Sequence, residues 1–60
     1  PKAIYQRMQE IVDAEDKHAP LTDEQLVDAL TASGFKIARR TVAKYRDQLG
    51  IPLARWRKEV

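Results

Sequence analysis

The sequence predicts a small all-α fold, a three-helix domain containing a helix-turn-helix. Three observations carry this expectation. Apolar residues recur at helical spacing in three separate stretches. Each stretch is followed by a proline or a glycine, the residues that stop helices. The connector between the second and third stretches is short and contains a glycine. Sixty residues make one domain, 1–60, near the lower size limit for a chain that folds without staples. With no cysteine, neither a disulfide framework nor a thiolate metal site is available, so a shared aliphatic core must supply the stability.

Helix 1 is expected over about 2–17. Ile4, Met8, Ile11 and Val12 fall at i, i+4, i+7 and i+8, one face of an amphipathic helix. The Ala19-Pro20 pair ends it, because the residue before proline is pushed away from helical angles. His18, at that carboxyl end, reads as a capping or solvent-facing side chain. Helix 2 is expected over about 23–33. Thr22 and Gln25 have the spacing of a capping box, and Leu21 with Leu26 forms the accompanying hydrophobic staple. Asp23 and Glu24 suit the positive end of the helix dipole. Leu26, Val27 and Leu30 supply its buried face, and Gly34 closes it. Phe35 and Ile37 in the connector are expected to plug the core. Helix 3 is expected over about 39–49, with Val42, Tyr45 and Leu49 inward and Gly50 and Pro52 stopping it. Residues 51–60 remain as a basic tail.

Several function classes lack their residues. No nucleophile–base pair, metal cluster or phosphate loop is present, and His18 has no second histidine to work with, so no enzyme, cofactor or small-molecule ligand is expected. The acidic pairs Glu15-Asp16 and Asp23-Glu24 read as helix-end charges. The longest apolar runs are only a few residues, which predicts neither a signal peptide nor a membrane span. Absence of cysteine is compatible with a cytosolic setting. The chain opens on Pro1 rather than Met, which suggests a piece of something longer.

Charge is segregated along the chain. Residues 1–35 hold three Lys/Arg against seven Asp/Glu, while residues 36–60 hold eight against two, for net charges of −4 and +6. Such a split points to a polyanionic partner. Four of those eight cations, Arg39, Arg40, Lys44 and Arg46, sit in the ten residues ARRTVAKYRD, 38–47. On a wheel centred on Val42, Arg40 and Lys44 fall nearly opposite, with Thr41, Ala43 and Asp47 beside them, while Arg39 and Arg46 flank the apolar stripe. Asp47 is the one acidic neighbour and can pair only weakly with Lys44. In a helix-turn-helix the second helix enters the DNA major groove. An arginine there can give guanine O6 and N7 a bidentate pair of hydrogen bonds. Arg40, Lys44, Thr41 and Ala43 are therefore the candidate base contacts. Candidate phosphate contacts are Arg39, Arg46 and Tyr45 of helix 3, Lys36 before it, and Arg55 and Arg57 of the tail. Tyr45 reads as a core residue with a wet hydroxyl rather than a base-stacking platform. Trp56 has no obvious core partner. The competing reading is a protein-interaction module that docks its basic helix on an acidic partner.

ARRTVAKYRD resembles the RpoN box of the bacterial alternative sigma factor sigma-54, which reads ARRTVAKYRE, at nine of ten positions. The departure, Asp47 for glutamate, keeps the charge. LTDEQLVDALTASGFKIA before the box and IP after the helix are similar to the family as well, whereas the tail LARWRKEV departs from it and helix 1 resembles it only loosely. The resemblance implies a carboxyl-terminal DNA-binding module in the bacterial cytoplasm. It would recognise the GG-containing −24 element of double-stranded promoter DNA and help hold RNA polymerase in a closed complex that an ATP-driven activator opens. Binding to the core polymerase would belong to other parts of the parent sigma factor. The box residues Arg39, Arg40, Thr41, Ala43, Lys44, Tyr45 and Arg46 carry the implied DNA contacts, with Arg40 first choice for guanine.

Overall fold

A computed structural model describes residues 2–59, and every described element is helical. The elements are α1 (Lys2–Ala14), α2 (Asp23–Ala32), α3 (Arg39–Gln48) and a short α4 (Ala54–Arg57). None is long and apolar enough to cross a membrane. The middle helix α2 packs against both α1 and α3. The core takes Ile4, Met8 and Val12 from α1, Leu26 and Leu30 from α2, Val42 from α3 and Ile51 from the connector beyond it. Phe35 and Ile37 lie against this core. Met8, Leu26, Leu30 and Val42 are fully buried, so each contributes about 1.5–3 kcal/mol of transfer free energy.

Helix α1 stops three residues earlier than the sequence predicts. Two side chains cause this. Lys17 Nζ donates to the carbonyl of Val12 at 2.6 Å, the acceptor that a continuing helix would offer to residue 16. Asp16 turns the chain instead, its carboxylate accepting from His18 N at 2.9 Å and its carbonyl from Ala19 N at 2.9 Å. His18 is exposed, with Nδ1 at 3.1 Å from the carbonyl of Glu59.

The capping box at Thr22 is present in both directions. Thr22 Oγ1 accepts from Gln25 N at 3.2 Å, and Gln25 Oε1 accepts from Thr22 N at 2.9 Å. Helices α2 and α3 then end by the same device. Gly34 (φ 96°) and Gly50 (φ 74°) adopt the left-handed conformation that side chains resist. After α2, Phe35 N donates to Leu30 O at 2.8 Å and Gly34 N to Thr31 O at 3.0 Å. After α3, Ile51 N donates to Arg46 O and Gly50 N to Asp47 O, both at 3.0 Å. These are Schellman closures. Each reverses the chain so that the next residue, Phe35 or Ile51, turns back onto the core. The six-residue connector 33–38 thereby sets α3 against α2 as the second helix of a helix-turn-helix.

The tail is not a featureless extension. It forms α4, which buries none of its residues in the core. Arg57 holds it in place through buried polar contacts.

Candidate nucleic-acid interface

The amino end of α3 is built without a capping side chain. Ala38 occupies the cap position in extended conformation and offers no side-chain hydrogen bond, and the first turn contains no acid. Val42 N donates to Ala38 O at 3.0 Å, so the amides before it lack an intrahelical acceptor. Two arginines, Arg39 and Arg40, sit on this already positive helix end. That arrangement is unfavourable in isolation and becomes favourable when an anion approaches.

Arg40 and Lys44 are exposed and make no ion pair among the described residues. Thr41 and Ala43 between them are half-buried and small, which lets a partner approach the helix backbone. Lys36 in the connector is exposed. Arg39 is exposed and loosely tethered, its Nη1 at 3.2 Å from Glu24 Oε1 on α2. Such an exposed pair is worth about 0–1 kcal/mol and yields readily to a phosphate.

Arg46 lies elsewhere. It is only 5% exposed, Nε donating to Asp23 Oδ1 at 2.9 Å and Nη1 to the carbonyl of Ile51 at 2.8 Å. The expectation of a phosphate contact is corrected: this guanidinium fastens α3 to the start of α2 and to the chain beyond Gly50. The sequence held a signal for this. At 100° per residue Arg46 stands about 40° from Val42, nearer the buried centre than Tyr45 at about 60°. Asp47, in turn, pairs with Arg46 Nη1 at 3.3 Å rather than with Lys44. Tyr45 packs its ring edge-on against Tyr5 of α1, centroids 4.9 Å apart, and Tyr5 Oη donates to Gln48 Oε1 at 2.7 Å. These contacts hold α3 on α1.

Arg57 is also corrected from its expected phosphate role. Its side chain is 6% exposed, and Nε and Nη2 donate to the two oxygens of Glu15 at 2.7 and 2.9 Å. Nη2 also donates to the carbonyl of Leu21 at 2.7 Å, and Nη1 donates to that of Pro52. The Glu15 carboxylate is fully buried and accepts further from Leu21 N at 2.9 Å and Lys17 Nζ at 3.0 Å. The Arg57 hydrogen bonds, outweighing the burial that opposes them, hold the Glu15 carboxyl well below its ordinary 4.5, at about 2. Glu15 is thus a structural anchor rather than a helix-end charge. Its partner stands 42 positions away, and nothing local in the sequence announces it. Arg55, by contrast, is exposed and lies over the Trp56 ring, 5.5 Å from its centroid.

Comparison with known proteins places this surface in context. The family model described as "Sigma-54, DNA binding domain" matches residues 1–59. The RNA polymerase sigma-54 factor of Bacillus subtilis is 47% identical over 57 residues, covering 93% of this chain and 13% of its own length. The corresponding factor of Escherichia coli is 41% identical over 58 residues, covering 97% of this chain and 12% of its own length. That of Xanthomonas euvesicatoria is 47% identical over 49 residues, covering 82% of this chain and 10% of its own length. The chain therefore spans about an eighth of the curated relatives it matches.

Proposed function

The chain belongs to the sigma-54 DNA-binding domain family, and from that premise we propose that it binds double-stranded promoter DNA at the GG-containing −24 element, with α3 in the major groove. Arg40 reads guanine through a bidentate pair of hydrogen bonds, and Lys44, Thr41 and Ala43 complete the base-facing surface. Lys36, Arg39 and Arg55 bind phosphates and set the register. Within a parent sigma factor the domain works in the bacterial cytoplasm, and contacts with RNA polymerase fall to other parts of that protein.

One observation carries this reading: Arg40 and Lys44 are exposed, make no ion pair among the described residues, and stand on a helix with no side-chain cap and no acid in its first turn. A self-contained helix of this length would draw on acidic neighbours at i±4, and α3 has only Asp47, which is bound to Arg46. A duplex supplies the missing anions.

Fluorescence anisotropy with labelled duplexes tests it. Binding to a GG-containing duplex should exceed binding to its scrambled counterpart. Affinity should fall with a log–log salt slope of roughly −3 to −4, for three or four neutralised phosphates. Arg40→Ala should cost about 1–3 kcal/mol on the GG duplex and flatten the preference for guanine. Equal affinity for the scrambled duplex refutes promoter reading, and full discrimination by Arg40→Ala removes Arg40 from its role.

A further inference from the structure

Among the described residues, Trp56 and Leu53 are the large apolar side chains that the fold leaves outside, 71% and 39% exposed. Both belong to the tail segment around α4. This segment is not loose: Arg57 ties it to Glu15, Leu21 and Pro52, and Glu59 N donates to the carbonyl of Lys17 at 2.8 Å. Four residues of helix that bury nothing in the core are thus anchored by a buried guanidinium, and the anchoring fixes where Trp56 projects. The Arg55 guanidinium lies over its ring. A cation within this distance of an indole face is attracted by the ring's electrons while it stays in water, so charge and apolar surface sit side by side on the ridge.

The charges around α4 select the partner. A groove of about 550 Å³ runs between the start of α2, the start of α3 and α4, with Arg39 and Arg55 on its walls. The acids in that groove are already engaged, Asp23 by Arg46 and Glu24 by Arg39. Arg55 and Lys58 also line a second groove with His18. Neither Arg55 nor Lys58 makes an ion pair among the described residues, and the exposed acid of this segment is Glu59. The ridge is therefore cationic and aromatic together, and through Arg39 it is continuous with the face proposed to read DNA.

We propose that the Arg55–Trp56 ridge of α4 is a second DNA contact, gripping the sugar-phosphate backbone of the duplex flanking the element that α3 reads. Arg55 and Lys58 take phosphates, and the Trp56 indole packs on the neighbouring deoxyribose. This inference rests on the reading of α3 given above and extends the footprint beyond it. The ridge adds affinity without base preference, because backbone groups are alike at every step.

Trp56 is the chain's single tryptophan, so its emission reports on the ridge alone. Three duplexes suffice: one trimmed to the GG element, and two extended by about half a helical turn on one side or the other. On one extended duplex, Trp56 emission should shift and acrylamide quenching should fall several-fold, with neither change on the trimmed duplex. Trp56→Ala, at an exposed site that leaves helix content by circular dichroism intact, should weaken the extended complex about three- to tenfold. It should leave the trimmed complex unchanged, and Trp56→Phe should restore part of the loss. If anisotropy shows a saturated, Arg40-dependent complex in which Trp56 stays open to acrylamide on both extended duplexes, the ridge is overturned and the reading of α3 survives. Protection that arises only when RNA polymerase is added likewise overturns it, assigning the ridge to protein. Failure of every GG duplex to bind overturns both.

Discussion

Replacing Arg57 with alanine should unfold much of this protein at neutral pH. The substitution leaves the Glu15 carboxylate buried with Leu21 N and Lys17 as its remaining donors. The Arg57 hydrogen bonds are the largest of the influences that take the Glu15 carboxyl from 4.5 down to about 2. At 1.36 kcal/mol per tenfold change in proton affinity, that fall corresponds to about 3 kcal/mol of stability at pH 7. The figure is an upper value, because in so small a domain water lies only a few atoms away. The two carbonyls left without Arg57, Leu21 and Pro52, add a further cost of about 1 kcal/mol each where they stay dry. A domain of this size holds only about 3–5 kcal/mol in total. Urea unfolding followed at 222 nm reads the loss directly. The pH dependence supplies a second, independent check. A depressed carboxyl stabilises the fold fully above its unfolded value and loses that contribution as the pH falls from about 4.5 towards 2. The parent should therefore weaken steadily across this window, and Arg57→Ala should weaken much less. A variant within about 1 kcal/mol of the parent at pH 7 refutes the reasoning, as does a Glu15 carboxyl that titrates near 4.5 by NMR.

Arg46→Ala should destabilise the fold by about 3 kcal/mol, because it strands Asp23 and the Ile51 carbonyl, while the affinity of the folded fraction for duplex is unchanged. Thermal unfolding alongside anisotropy separates the two effects, and a loss confined to DNA affinity returns Arg46 to the interface. Thr22→Ala should remove one half of the capping box, costing about 1 kcal/mol and lowering Tm by about 4–8 °C in calorimetry. Gly34→Ala meets no atom within 4 Å, so its cost is backbone strain alone, about 1–2 kcal/mol, read from urea midpoints. A neutral result would mean that the connector into α3 tolerates another path.

Legibility in the sequence followed the range of the interactions. The start of α2 and the ends of α2 and α3 could be read because capping boxes and Schellman closures are completed within six residues. The end of α1 could not, because Lys17 and Asp16 override a stop placed at Ala19-Pro20. Arg46 was misplaced because residue type argued outward while its angle on the wheel argued inward. Glu15, Arg57 and the helix around Trp56 were invisible because their contacts join residues about 40 positions apart. The charge split itself changes meaning once folded. Glu15, Asp23 and Glu24 of the acidic half pair with Arg57, Arg46 and Arg39 of the basic half, so part of the segregation is internal fastening. Lys36, Arg40, Lys44, Arg55 and Lys58 make no ion pair among the described residues, and Arg39 is held only by an exposed one. An anion attracted to this domain meets those side chains rather than the whole basic half, so its salt dependence should be shallower than a count of the sequence's cations suggests.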